Sequence, residues 1–245
     1  MVKFVYYLAA IGTPNLQAKK DILQHNLIYI YNKLNENFDI VINCYEKGFT
    51  IADILDINEY PFIDNIFFYC RTGMLIELWN TNPFHKKLEN HDYIFFMLDD
   101  VEIKSLDIKE FIELKNKYNI EFFSPRVEKS TYDYMQYPVE NRLSITNRLE
   151  FFCLLLTYDD FMKYLSINDV NNPYIWGVDF MLAHFNIKTA VCYKFTTIHK
   201  LPGGTYSKKA EESMNKYLKK YGYNNLKEII DKYPEDIKKN IYLKN

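Results

Sequence analysis

The chain has 245 residues, 48% of them hydrophobic, and a formal net charge of −2 from 30 basic and 32 acidic side chains. That length holds one large domain or two small ones with ample core, and the apolar content excludes a disordered chain. The balanced charge carries no electrostatic footprint for nucleic acid, so no nucleic-acid partner is expected.

Val2–Ile11 is a continuous apolar run closed by Gly12-Thr13-Pro14-Asn15, the pattern of a buried strand followed by a turn. It superficially resembles a signal peptide, but its apolar part is short and no small-x-small cleavage site follows. Apolar positions Ile22, Leu23, Leu27, Ile30, Tyr31 and Leu34 then predict a helix over 16–34. Strands are expected at Phe38–Tyr45, Ile66–Cys70 and Tyr93–Leu98, with a helix at Gly73–Trp79 between the last two. A helix at Ile108–Tyr118, a short strand at Ile120–Phe123, a strand at Glu150–Leu156 and a helix at about Asp159 to Leu165 follow. A short helix at Gly177–Phe185 and a strand at Ala190–Ile198 complete the series. Residues 126–149 show little periodicity and are read as a long loop. From Ser207 the chain turns lysine-rich, and Met214, Tyr217, Leu218 and Tyr221 mark an amphipathic helix, read as a terminal helix with a solvated lysine face.

Strands alternating with helices predict an α/β domain with a mainly parallel sheet over residues 1–206 and a C-terminal helical extension over 207–245. No apolar run approaches the ~20 residues of a membrane span. None of Cys44, Cys70, Cys153 and Cys192 forms a Cys-x-x-Cys pair, which argues against structural zinc, and most lie in apolar runs as free thiols. Together these lead us to expect no transmembrane segment and a cytoplasmic protein.

Ligands of parallel α/β sheets sit beyond the carboxyl ends of the strands, which directs attention to Gly12-Thr13, Tyr45-Glu46, Arg71-Thr72 and Asp99-Asp100. Three segments carry the chemistry. In the first, the apolar strand Tyr93–Leu98 runs into Asp99-Asp100-Val101-Glu102. Carboxylates cannot be buried unpaired in mid-strand, and at its end they meet solvent, a hard cation such as Mg²⁺ or Mn²⁺, or a helix to cap, although Asp107 suffices for the next cap. In the second, Trp176-Gly177-Val178-Asp179, a turn at Gly177 leads to a helix start at which Asp179 is either a plain cap or an ionised base. In the third, His199 ends a strand before Lys200 and the Gly203-Gly204 loop, suited to a metal through neutral imidazole and to a diphosphate through Lys200. A Gly-x-x-x-x-Gly-Lys-Ser/Thr loop and a Gly-x-Ser-x-Gly elbow are both absent, which excludes a P-loop enzyme and gives no support to a serine hydrolase.

The order of these segments resembles GT-A glycosyltransferases, and most nearly a plant family known only as a domain of unknown function. The resemblance rests on Asp92-Tyr93-Ile94-Phe95 leading to the acidic turn, Trp176-Gly177-Val178-Asp179, and Ile198-His199 with Gly203-Gly204, over roughly residues 66–206. One departure stands out: the first position of the acidic triplet is Leu98. The resemblance implies a metal-dependent, inverting transfer of a sugar from a nucleotide-sugar donor, a UDP-sugar favoured, to a glycan or other hydroxyl acceptor. It implies Mn²⁺ or Mg²⁺ on Asp100 and His199, with Asp179 as base. The donor would lie against Ala10, Ile11, Gly12, Thr13, Glu46, Arg71, Asp99 and Lys200. Two rivals remain, a non-catalytic nucleotide-sugar or carbohydrate-binding module on the same fold and a metal-dependent nucleotidyltransferase.

Overall fold

The computed structural model describes residues 2–201 and 207–243, so the expected Gly203-Gly204 loop lies outside the described residues. In chain order the elements are β1 (Phe4–Ile11), α1 (Leu16–Leu34), β2 (Phe38–Cys44), α2 (Ile51–Ile54), β3 (Ile63–Cys70), α3 (Leu75–Thr81), β4 (Tyr93–Met97) and β5 (Val101–Ser105). There follow α4 (Ile108–Tyr118), β6 (Phe122–Glu128), β7 (Arg142–Thr146), β8 (Cys153–Leu156), α5 (Tyr158–Ile167), β9 (Thr189–His199), α6 (Lys208–Lys220), α7 (Leu226–Lys232) and β10 (Ile237–Tyr242). The strands form one sheet in the order β10-β7-β9-β6-β8-β4-β1-β2-β3, with β5 paired to β9.

The sheet is a wall between two cores. β1 is central, so both of its faces are covered and its run reads apolar throughout. Phe4, Tyr6 and Leu8 point to one core with Leu23, Leu27 and Ile30 of α1 and Phe111 of α4. Val5, Tyr7 and Ala9 point to the other, with Trp79 of α3, Phe161 and Tyr164 of α5, and Tyr217 and Leu218 of α6. Trp79 is fully buried, stands edge-on to Phe96 at 5.4 Å, and donates its indole N–H to the Ala9 carbonyl at 2.7 Å. Trp79→Ala removes both packing and that donor, and is expected to cost ~3–5 kcal/mol in a urea titration.

The sheet is mixed rather than mainly parallel. β3-β2-β1-β4 are parallel, and so is β6 with β9, but β8 runs against β4 and β6, and β7 runs against β9 and β10. The expected loop over 126–149 instead holds the end of β6, a 3₁₀ turn at Asp133–Gln136 and β7. The stretch after Ser207 carries two helices and then β10, which pairs antiparallel with β7 in the main sheet, so it is not helical throughout. The helix expected at Gly177–Phe185 is reduced to a 3₁₀ turn, Asp179–Met181. Cys44, Cys153 and Cys192 are buried free thiols, while Cys70 is half-buried. No helix among the described residues is long and apolar enough to cross a membrane.

Candidate functional site

The parallel register aligns the carboxyl ends of β1, β2, β3 and β4 along one edge: Leu8 stands beside Ile42 and Met97, and Cys44 beside Cys70. At this edge β4 passes through a turn at Asp99-Asp100 into β5, and β5 pairs with β9 so that Val101 faces His199. That pairing brings together residues ninety-nine apart in sequence: His199 Nε2 lies 2.8 Å from Asp100 Oδ2. The Lys200 N–H donates to the Asp100 carbonyl at 2.8 Å, closing the same corner. Asp107 caps α4 by accepting the Glu110 N–H, so neither Asp99 nor Asp100 is needed as a cap.

Asp99 and Asp100, adjacent in sequence, have different surroundings. The Asp99 carboxylate meets the Lys19 ammonium at 2.8 Å. Burial pushes the Asp99 carboxyl up to about 6, against the pull of Lys19. Asp100 has His199 on Oδ2, while its buried Oδ1 has no hydrogen-bond partner among the described residues. The hydrogen bond it donates to Asp100 holds the His199 imidazole above its usual range, against the effect of burial. An orphaned carboxylate oxygen beside an imidazole is a donor set that a hard divalent cation would satisfy. Among the described residues no group of three or more His, Cys, Asp or Glu is gathered for a metal ion. The pair by itself offers two protein ligands, one carboxylate and one imidazole.

Lys19 ties three strand ends together. It is buried on the first turn of α1 and donates to the Gly12 carbonyl at 3.0 Å and the Tyr45 hydroxyl at 2.9 Å, besides pairing with Asp99. Tyr45 in turn donates its hydroxyl to the Thr13 carbonyl at 2.9 Å, and Glu46 accepts from the Thr13 N–H at 2.8 Å and from the Thr13 hydroxyl. Those bonds from Thr13 hold the Glu46 carboxyl below its ordinary range. Gly12 is where this network meets the backbone most closely: a Cβ there would stand 2.4 Å from the Tyr45 ring. Gly12→Ala is expected to displace Tyr45 and destabilise the chain by ~1–3 kcal/mol, read as a lower urea midpoint.

The other expected donor contacts are placed less uniformly. Ala10 and Ile11 are buried in opposite cores, and the Ile11 carbonyl already accepts the Tyr45 N–H at 3.1 Å, so they shape the strand end. Arg71 follows β3, where its N–H donates to the Cys44 carbonyl at 2.9 Å; its side chain is exposed and makes no ion pair among the described residues. Lys200 is exposed and pairs with Glu102 at 3.1 Å. Leu98 packs against both cores and its N–H donates to the Phe152 carbonyl at 3.0 Å, so packing fills the departure from the acidic triplet.

Asp179 sits in a loop pinned from behind by α6. Asn172 donates to the Trp176 carbonyl at 2.8 Å and accepts from Ser213 of α6 at 3.0 Å. Gly177 has φ of 79°, which favours glycine, and a Cβ there would press within 2.8 Å of Met214. The helix whose dipole was expected to favour an ionised Asp179 is absent. A three-residue turn has almost no dipole, and burial pushes its carboxyl up to about 6, with the Tyr132 hydroxyl pulling the other way and Glu150 adding to the rise. Tyr132 donates its hydroxyl to Asp179 Oδ2.

No family model matches the chain, and no curated protein matches it in sequence. Solved structures do match. TarS of S. aureus superimposes with a TM-score of 0.61 at 11% identity, over 96% of this chain and 43% of its own. Residues 1–349 of TarS in complex with UDP-GlcNAc give 0.56 at 10%, over 88% of this chain and 65% of that one. GalNAc-T7 with UDP, GalNAc and Mn²⁺ gives 0.57 at 9%, over 89% and 48%. The fold is that of the GT-A glycosyltransferases. At such identities the likeness is one of fold, and the chain spans between 43% and 65% of the GT-A proteins it matches. The likeness to the plant family stays one of short segments.

Three side chains of this corner escaped the sequence reading. Lys19 carried a signal, because it falls on the apolar stripe of its helix with Ile22, Leu23 and Asn26, where a lysine has no place unless its charge is paired. Glu150 carried a weaker one, an acid between Leu149 and Phe151 that the structure buries. Tyr132 is one of 22 tyrosines, and nothing local marks it.

Proposed function

We propose that the protein is a glycosyltransferase that takes a sugar from a nucleoside-diphosphate sugar, a UDP-sugar favoured, and passes it to a hydroxyl acceptor. The observation that carries this reading is the Asp100–His199 pair, 2.8 Å apart with Asp100 Oδ1 unpartnered, at the strand edge of a GT-A fold. Asp100 and His199 would hold Mn²⁺ or Mg²⁺ at this edge. A cation so held supplies positive charge to the leaving nucleoside diphosphate. In this reading Thr13, Glu46 and Asp99 would contact the nucleotide at the strand edge, Gly12 and the strand end at Ala10–Ile11 would let it approach, and the exposed Arg71 and Lys200 would reach its phosphates and base. Lys19 fixes Asp99, leaving Asp100 as the carboxylate free for the cation.

Asp179 accepts the proton of the acceptor hydroxyl as that oxygen bonds to the anomeric carbon from the face opposite the leaving group, which inverts the configuration. Its elevated pKa makes it a better base than an ordinary aspartate while leaving it mostly ionised at neutral pH. The half-buried surroundings of Asp179 limit competition from water.

A nucleotide-sugar-binding module without turnover is the second reading, favoured by Leu98 in place of an acid. A thermal-shift panel of UDP, GDP, CDP and ADP, with and without Mn²⁺, tests the donor site. A Mn²⁺-dependent rise with UDP that Asp100→Asn abolishes is expected, and the absence of a shift with all four nucleotides refutes the site.

A further inference from the structure

We propose that Glu150 is the positioning residue of Asp179: it clamps Ser130 and Thr131 so that Tyr132 is delivered to the Asp179 carboxylate, and its own charge bears on that carboxylate. This rests on the reading of Asp179 as the base. Glu150 is 9% exposed and lies on the segment entering β8. Both its oxygens are occupied: Ser130 donates its hydroxyl to Oε2, Thr131 donates its hydroxyl to Oε1, and the Thr131 N–H lies 3.4 and 3.2 Å from the two. Ser130 then accepts the Tyr132 N–H at 3.1 Å. The Tyr132 ring is stacked on Tyr134 at 5.6 Å and stands edge-on to Phe180 at 5.7 Å, which leaves its hydroxyl directed at Asp179. Two residues further on, Phe152 lies against the His199 ring at 4.6 Å, so one short segment touches both candidate functional groups.

The clamp uses both carboxylate oxygens as acceptors, and a glutamine would keep only one of them, setting an NH2 donor against the other hydroxyl. The carboxylate at 150 also carries what an amide lacks, a negative charge that raises the proton affinity of Asp179. Tyr132 of the clamped segment bonds to Asp179, and Tyr134, Glu150 and Tyr217 of α6 are near enough to interact with its charge, while Arg148 lies over the neighbouring Phe180 ring at 4.9 Å and is paired with Asp236. Glu150 is the acid among them that acts on Asp179 directly, since Asp236 is engaged by Arg148 at 2.8 Å.

The test uses Glu150→Gln and Tyr132→Phe in the full chain, each also combined with Asp179→Asn. Glu150→Gln is expected to lower kcat about tenfold or more through misplacement of the base, to leave the donor KM within about twofold, and to move the acid limb of kcat to lower pH. An unmoved limb, or a donor KM that rises in step with the loss of kcat, overturns the proposal. Thermal midpoints of the same variants decide it without turnover. The rise in midpoint produced by Asp179→Asn is expected to shrink in the Glu150→Gln background, whereas additive midpoints overturn the coupling. A wild-type chain that transfers no sugar sinks the base reading, and the midpoint cycle still decides whether Glu150 acts on Asp179.

Discussion

Replacing Asp179 by Asn is expected to reduce sugar transfer by ~10³-fold or more while making the folded chain more stable. The two effects share one cause. In the fold the Asp179 carboxyl titrates at about 6, against an ordinary value of 3.8. Between those values the folded chain holds more protons than the unfolded one, so stability falls as pH rises through that window and is level above it. At neutral pH the fold therefore carries the cost of an ionised carboxylate in partial burial, and Asn removes it while still accepting the Tyr132 hydroxyl. Two units correspond to ~3 kcal/mol at most, and partial exposure brings the expected gain to ~1–2 kcal/mol. In a chain of this size that is a rise of ~2–6 °C in the melting midpoint at pH 7, absent near pH 4. For wild type, kcat should climb with pH through about 6 and then level off, since the base acts in its ionised form. Transfer retained by Asp179→Asn would remove Asp179 from the chemistry.

The second large effect falls on the Asp100–His199 pair. Loss of either side chain leaves one protein ligand, and His199→Ala or Asp100→Ala should weaken Mn²⁺-dependent nucleotide binding ~10²-fold or more, with little change in the metal-independent part. Chelation of wild type should do the same reversibly. Because Asp100 raises the pKa of the His199 imidazole, a cation bound there would compete with a proton. Apparent metal affinity should rise with pH until His199 is fully neutral, which calorimetry in buffers of different ionisation enthalpy reads as proton release. Equal affinity across pH 6 to 8.5 would contradict a histidine ligand.

How far the sequence carried these conclusions depended on the range of the forces involved. Local signals were clear: the stripe from Ile22 to Leu34 and the run Ile108–Tyr118 gave helices whose observed bounds are Leu16–Leu34 and Ile108–Tyr118. The chain rule that directs attention to strand ends led to Gly12, Glu46 and Asp100, which the parallel register does align. What failed was set by tertiary pairing. β5, β7 and β10 are short, carry polar residues and owe their existence to neighbours distant in sequence, so no periodicity announced them. The same pairing of β5 with β9 that went unforeseen is what carries His199 to Asp100. Asp179 was singled out from its own segment, but its surroundings were not legible there, because they come from Tyr132, Glu150 and α6 and not from the turn in which it stands.

The central claim is that this chain turns over a nucleotide sugar at the Asp100–His199 edge. The most direct measurement is release of nucleoside diphosphate from a panel of UDP-, GDP- and CDP-sugars by the wild-type chain with Mn²⁺, alongside Asp179→Asn and Asp100→Asn. The account predicts metal-dependent release from one donor class, a UDP-sugar first, with Asp179→Asn binding that donor but releasing nothing and Asp100→Asn failing at both. Mn²⁺-dependent binding of a donor with no release by wild type, across the panel and with hydroxyl acceptors present, would contradict it and leave a binding module on a GT-A fold.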